Sequence, residues 1–418
     1  MKKTRTHSGH FAKEQTQKKI HISEVGIGMF VSKLDRDWLE TPFLMQGFVV
    51  ENQDDIEVLA EYCEYVWIDA VQDTWVPPEE HAVTGSTPKQ KRYINKISSQ
   101  QEHRQAIGVY REARKITKSL LEEARLGGAI DTEHAKATVH DCVNSILRNA
   151  DALMWMGRMR NEDEYTAEHC LNVCILAISF GRHLGMAEED LHKIGLCGLL
   201  HDVGKMRVPP AVLNKPGKLT EKEFKMMKAH TVHGRNLLMS SPGAYHGTVD
   251  VAYSHHERLD GTGYPRKLKA AGISEFSRMI AIVDAYDAMT AERCYAPAMP
   301  TTEAIKIIYH NRGTQFDGRL ADQFIEMIGL YPPGSIVELN NGMVGIVLNT
   351  NYRYRHLPKV ILVRDSNKKP VREKIVNLAE TEKGNLEHDF LIQRVLVDGS
   401  YNVRLKDYRE KGLQLSFG

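Results

Sequence analysis

Long apolar runs are the first thing this sequence lacks: no stretch approaches the roughly 18 uninterrupted apolar residues that a membrane-spanning helix needs. The best stretch, Cys170 to Phe180, is broken by Asn172 and closed by Gly181-Arg182-His183. An excess of one charge is also missing. The 55 basic and 54 acidic residues leave a formal net charge of +1, which argues against a coat for nucleic-acid polymers but leaves room for local basic patches that hold phosphates. The six cysteines (Cys63, Cys142, Cys170, Cys174, Cys197 and Cys294) contain no Cys-x-x-Cys pair and no regular framework. Buried free thiols are therefore the expectation, although Cys170 and Cys174 share a helix face at i, i+4. The basic N-terminus carries no apolar run of the kind a secretory signal needs, and no internal repeat is evident. These absences together predict a cytoplasmic protein that does not enter membranes.

What is present suits a multidomain globular chain: 418 residues, 42% hydrophobic and 26% charged, enough for two or three domains. Residues 1–18 are basic and polar and read as a flexible arm. Over 19–76 short apolar runs (Ile20-His21-Ile22, Met29-Phe30-Val31, Phe48-Val49-Val50 and Tyr65-Val66-Trp67-Ile68), with a helix near Asp54 to Cys63, predict a small α+β domain. Residues 77–100 have the composition of a linker. Helical periodicity dominates 101–330, including Ile107 to Arg125 and Thr132 to Arg158, with breaks at Val208-Pro209-Pro210, Lys215-Pro216-Gly217, Ser241-Pro242-Gly243 and Asp260-Gly261-Thr262-Gly263-Tyr264-Pro265. The central domain is expected to be all-α, and 331–418 a small β-rich extension packed on it.

Every candidate ligand falls within the helical region. His201-Asp202 ends the apolar run Ile194 to Leu200, and burying an ionised carboxylate beside an imidazole is costly unless a metal or ion partner compensates. Lys205, one turn on, could be that partner. A simple buried Asp–Lys pair would satisfy the same pattern. Asp284 likewise ends an apolar run, His255 and His256 stand side by side, and His169 and His230 come from further helices. Neighbouring side chains on one helix diverge by about 100°, so His255 and His256 can share a cluster only if it lies in the wedge between them. An imidazole can occupy one metal while the adjacent carboxylate bridges to a second, which points to two-metal hydrolytic chemistry. Histidine and carboxylate donors without a cysteine set favour iron, manganese or a similar divalent ion over structural zinc.

In this order the motifs resemble the HD superfamily of phosphohydrolases, specifically its HD-GYP subfamily. The resemblance is carried by His201-Asp202-Val203-Gly204-Lys205, His230, His255-His256 through Gly263-Tyr264-Pro265, and Asp284-Ala285-Tyr286-Asp287-Ala288-Met289-Thr290, over roughly Asp151 to Gly329. The segment before it is similar to a small domain of uncharacterised function that often precedes HD-GYP domains. The resemblance implies hydrolysis of cyclic di-GMP to pGpG, which some members carry on to GMP. The alternative it leaves open is a cyclic di-GMP receptor or adaptor with slow or no turnover.

By the same resemblance the metal ligands would be His169, His201, Asp202, His230, His255, His256 and Asp284, with Asp202 and a hydroxide bridging two metals. Lys205 would stabilise the phosphate or assist the leaving oxygen. Gly263, Tyr264, Pro265, Asp287 and Arg293 would contact substrate, although Gly261, Gly263 and Pro265 would equally suit a structural turn. Some family members place a glutamate for a third metal four residues before the first histidine. That position is Tyr165 here, with Glu164 one step back and rotated by about 100°, so two metals are expected. Near Ala296, in Cys294-Tyr295-Ala296, the family often has a basic residue, so substrate affinity is expected to differ. Diguanylate cyclases and a second copy of the chain are the protein partners to be considered.

Overall fold

The computed structural model describes residues 17–36, 48–50, 53–69, 93–158, 165–291, 298–351, 354, 356–405 and 407–408. The chain divides into two units, Met1–Pro88 and Lys89–Gly418. In the first, β1 (Gln17–His21), β2 (Phe30–Leu34), β3 (Phe48–Val49) and β4 (Tyr65–Asp69) form a sheet of order β1-β4-β2-β3, with α1 (Gln53–Tyr62) between β3 and β4. The pairing is antiparallel and sets Ile20 opposite Val66. Ile20, Val31, Leu34 and Val66 of the strands and Leu59 of α1 are buried, and a register shift in β2 between Val31 and Lys33 accompanies the three-residue spacing of its two buried side chains.

The second unit begins with α2 (Ser99–Leu126), whose start is fixed by a capping box between Ser98 and Gln101 and whose end is a left-handed Gly127. Ala106, Tyr110, Ala113, Leu120, Leu121 and Ala124 of α2 are buried, so it is a core helix of its unit. Glu102, also buried, accepts from Ser145 at 2.8 Å and pairs with Arg148 at 2.7 Å. Thr132 to Arg158, expected as one helix, is two: α3 (Thr132–Arg148) and α4 (Ala150–Gly157). Asn149 breaks the run because it adopts an extended backbone and caps α4 by accepting from the N–H groups of Asp151 and Ala152.

Next come α5 (Tyr165–His183), α6 (Glu188–Leu200), α7 (Pro210–Leu213), α8 (Glu221–Lys228), α9 (His230–Met239), α10 (His246–Ser254), α11 (Glu275–Thr290), α12 (Thr301–His310) and α13 (Gly318–Ile328). Helix α5 is the hub. Leu171, Ile175, Ile178 and Phe180 are fully buried, each contributing roughly 1.5–3 kcal/mol of apolar burial. Helix α6 can lie close to α5 because residue 198 is glycine: a Cβ there would stand 2.9 Å from Cys174 Cα.

Strands β5 (Ile336–Leu339), β6 (Val344–Asn349), β7 (Lys359–Arg364), β8 (Pro370–Asn377) and β9 (Ile392–Leu396) form an antiparallel sheet of order β8-β7-β6-β5-β9. Ile336, Val344, Ile346 and Ile361 join the core of the helices, whereas Val337, Leu339, Val347, Val360 and Leu362 form a second, smaller core. Both faces of these strands are covered. That is why β5 to β7 read as nearly continuous apolar runs.

Candidate metal centre

Five segments converge on one buried point. His169 lies in the first turns of α5, His201 caps the C-terminus of α6 with Asp202 next to it, and Lys205 follows on the 3-10 turn Val203–Arg207. His230 opens α9, and Asp284 stands within α11. His255 and His256 differ from expectation. Helix α10 ends at Ser254, so the pair lies at and beyond its C-cap, with ring centroids 4.1 Å apart, and both reach the same cluster.

The donors sort into two groups that share Asp202. His169, His201, Asp202 and Asp284 offer ligand atoms within 4.8 Å of one another, and so do Asp202, His230, His255 and His256. Asp202 Oδ2 faces His201 Nε2 at 3.3 Å and His169 Nε2 at 3.4 Å. Its other oxygen, Oδ1, faces His230 Nε2 at 3.4 Å and His255 Nε2 at 3.7 Å. Asp284 Oδ1 closes the first group, 3.0 Å from His169 Nε2 and 3.8 Å from His201 Nε2.

The imidazoles are oriented from behind. Nδ1 of His201 donates to the carbonyl of Gly198 at 2.7 Å, that of His230 to Met227 at 2.7 Å and that of His255 to Val251 at 3.0 Å. A carbonyl only accepts, so the proton sits on Nδ1 and the Nε2 lone pair points at the centre. His169 is backed instead by a carboxylate, Asp287 Oδ2, at 2.6 Å.

This arrangement fits a cation. His201 Nε2 and Asp202 Oδ1 are buried without a hydrogen-bond partner among the described residues. His230 Nε2 and His255 Nε2 stand 3.3 Å apart with both Nδ1 atoms already donating, so two lone pairs face each other. Burial pushes His230 down to about 3 and His256 well below the usual imidazole range, which keeps both neutral, as a ligand must be. Burial alone would raise Asp202, but Lys205 and the imidazoles of His201 and His169 outweigh it and hold it well below the usual carboxylate range. Asp284 behaves likewise, with His169 as its main partner. The neighbouring thiols stay protonated: burial raises Cys170 to about 12, and a hydrogen bond with the Cys142 thiol, together with burial, raises Cys174 well above its ordinary value.

Lys205 Nζ lies 2.5 Å from Asp202 Oδ2 and also lines the cavity of about 1500 Å³ above the centre. Gly263 and Tyr264 line it too, whereas Pro265 does not. Gly263 is required for room: a Cβ would fall 2.4 Å from Arg258 N and 2.6 Å from His256 O. Asp287, expected at the substrate, lies behind His169. It is 1% exposed, absent from the cavity wall and hydrogen-bonded to His169 and Asn172. Arg293, Glu164 and Cys294-Tyr295-Ala296 lie outside the described residues.

Several participants had no clear signal in the sequence. Asn172, which there only interrupts an apolar run, donates to Gly157 O at 2.7 Å and to Asp287 Oδ1 at 3.0 Å. Glu257 accepts from the N–H groups of Arg266 at 2.6 Å and Leu268 at 2.8 Å, tying down the chain that follows Tyr264 and Pro265. Gly204 lets the Lys205 turn meet α9, since a Cβ there would be 1.9 Å from His230 O. The run Gly198-x-x-His201-Asp202-x-Gly204 held that signal as glycines placed on both sides of the ligands.

The HD domain family model matches residues 149–320, and the model of a domain of unknown function, DUF3391, matches residues 17–135. The fold and the site thus define an HD-domain phosphohydrolase, a class that works with divalent metals. A cyclic di-GMP phosphodiesterase of Pseudomonas aeruginosa is 37% identical over 369 residues, covering 86% of this chain and 89% of that protein. The 3'3'-cGAMP-specific phosphodiesterase 3 of Vibrio cholerae is 37% identical over 169 residues, 40% of this chain and 36% of its own. The cyclic di-GMP phosphodiesterase response regulator RpfG of Xanthomonas campestris is 40% identical over 144 residues, 34% and 38% of the two chains. The chain belongs to the cyclic di-GMP phosphodiesterase family of HD-domain enzymes. Among the described residues no helix is long and apolar enough to cross a membrane.

Proposed function

We propose that this chain hydrolyses a phosphodiester bond of cyclic di-GMP, giving pGpG, with two divalent ions, iron or manganese, as cofactors. One observation carries the reading: each oxygen of Asp202 faces a different set of imidazoles, at 3.3–3.4 Å on one side and 3.4–3.7 Å on the other. His169, His201 and Asp284 would hold one ion with Asp202, and His230, His255 and His256 the other. Nitrogen and oxygen donors suit iron and manganese. Such ions, when bound, supply Lewis acidity and lower the pKa of water.

The chain's own contribution is electrostatic. Lys205 keeps Asp202 ionised and lines the cavity, where its ammonium would stabilise a phosphate oxygen or give a proton to the leaving 3′-oxygen. Tyr264, whose phenol burial pushes above its ordinary range, remains a neutral donor on the wall. Asp287 aligns His169 and does not touch substrate. The relative that matches over most of its length acts, by its name, on cyclic di-GMP, whereas the 3'3'-cGAMP-specific relative matches over well under half.

The test is product chromatography on protein purified anaerobically and loaded with manganese or iron. Release of pGpG from cyclic di-GMP is expected, and Asp202→Asn should abolish it. No turnover with either metal, beside an active control enzyme, would overturn the proposal.

A further inference from the structure

Helix α2 lies outside the residues matched by the HD domain model and inside those matched by DUF3391, yet it forms part of the wall of the cavity over the metal centre. Lys118, Leu121, Glu122 and Arg125 line that cavity. Their spacing of three, four and seven puts them on one helix face, with the two cations about 10 Å apart along the axis. The helix is held in place: Arg114 Nε is 2.8 Å from Oε1 of the fully buried Glu168, the residue before His169, and Glu102 ties the other end to Arg148.

The charge of the wall indicates what it receives. Of the acidic residues lining the cavity, Asp284 belongs to the metal centre and Glu257 is bound by backbone N–H groups. That leaves Glu122 against Lys118, Arg125, Lys228 and Lys267. Lys228 is already drawn over the rings of Phe224 at 4.8 Å and Tyr264 at 5.7 Å. A cyclic dinucleotide carries two phosphates, and only one can react at the metals at a time. The other brings its charge into the same cavity and needs cationic donors away from the centre.

We infer that Lys118 and Arg125 of α2 hold the second, non-reacting phosphate of the cyclic dinucleotide, so that the region preceding the HD domain completes the substrate site. The inference rests on the function proposed above. It makes α2 a determinant of affinity for a two-phosphate ring, set apart from the machinery that cleaves the bond.

Steady-state hydrolysis of cyclic di-GMP by the metal-loaded full chain tests it. The double variant Lys118→Ala/Arg125→Ala should raise KM by about tenfold or more, with kcat held within about threefold, the effect expected for losing charged contacts that act in binding. Lys118→Arg/Arg125→Lys should keep KM within about threefold of the unaltered chain, because both positive charges are retained. Both positions are exposed, and thermal melts check that the variants fold. An unchanged KM in the alanine variant, a loss in kcat alone, or equal impairment of the conservative variant overturns the inference. Bis(4-nitrophenyl) phosphate, a diester with one phosphate, separates the two levels. If the unaltered chain cleaves it but not cyclic di-GMP, the proposed function fails. If cyclic di-GMP is cleaved and the alanine variant shows no KM shift, only the assignment to α2 fails.

Discussion

Replacing Asp287 by asparagine keeps the shape of the side chain and removes its charge, in a place where both oxygens are in use. Oδ2 accepts from His169 Nδ1 at 2.6 Å and Oδ1 from Asn172 Nδ2 at 3.0 Å. An amide has one oxygen and one NH2 group, so one of these donors would then face another donor. If the NH2 turns toward His169, the ring must move its proton to Nε2, the atom that faces Asp202 and Asp284. If it turns toward Asn172, that side chain loses a buried bond and the imidazole still loses the charge behind it. Partners behind a ligating histidine are worth about 10- to 100-fold in metal affinity or activity, which is about 1.4–2.7 kcal/mol. Competition with a chromophoric chelator gives the metal affinity, and kinetics at saturating metal give KM and kcat. Asp287→Asn should weaken metal binding by about 10- to 100-fold, with KM for cyclic di-GMP unchanged within about twofold. A raised KM with unaltered metal affinity would refute this reasoning and return Asp287 to the substrate.

Further outcomes follow from other parts of the structure. Lys205→Ala should lower kcat by about 100- to 1000-fold at saturating metal, the range for removing a charge-stabilising donor, and an unchanged kcat would remove Lys205 from the chemistry. Gly204→Ala puts a Cβ 1.9 Å from His230 O and should cost about 1–3 kcal/mol or more, seen as a lower Tm together with weakened metal binding. A variant that melts and binds metal like the unaltered chain would contradict the close approach of α9. His103, buried and edge-on to Trp155 at 4.9 Å, is held near 4 by burial. Because this lies below its ordinary 6.5, the unfolded chain takes up the proton first as pH falls. The neutral histidine's contribution is full above pH 6.5 and is lost progressively toward pH 4. By pH 5 the loss is about 2 kcal/mol, so denaturant melts of metal-free protein and of His103→Gln should diverge between pH 7 and pH 5, and parallel curves would refute the assignment. Chelation should lower stability by about 4 kcal/mol relative to metal held at a thousand times its Kd, and an unmoved Tm would argue against a resident ion.

Asp202, Asp284 and the adjacent His255 and His256 stood out along the chain because each breaks a local rule, whereas His169 and His230 were reached only through the family resemblance. An Asp beside a His at the end of an apolar helix, and two adjacent histidines, are costly unless something compensates them. The boundary at Asn149 was not readable, since the apolar periodicity continues across it and only the cap geometry marks the break. Nor could the sequence place Asp287 behind His169, although it marked Asp284 as the end of an apolar run. The two carboxylates stand three apart on α11 and so share a helix face. The placement of α5 decides between them. His169 lies between the two carboxylates and presents Nε2 to Asp284 at 3.0 Å and Nδ1 to Asp287 at 2.6 Å. One carboxylate thus faces the centre and the other holds the ring. This is a property of how two helices pack, and no motif on either helix contains it.

The same dependence on packing explains why the glycines around His201-Asp202 matter as much as the ligands. His169 and His201 can face the same oxygen of Asp202 only if α5 and α6 approach closely, which Gly198 permits by leaving no Cβ against Cys174 Cα. His230 can face the other oxygen only if α9 comes down on the Lys205 turn, which Gly204 permits. Asp202 belongs to both donor groups, so a shift at either contact would separate one group from it. A side chain at position 198 should therefore disturb the group of His169, His201 and Asp284, and one at position 204 the group of His230, His255 and His256. Metal titrations of Gly198→Ala and Gly204→Ala should each lose a different one of two binding events. Loss of both events together in both variants would mean that the two halves of the centre form only as a unit.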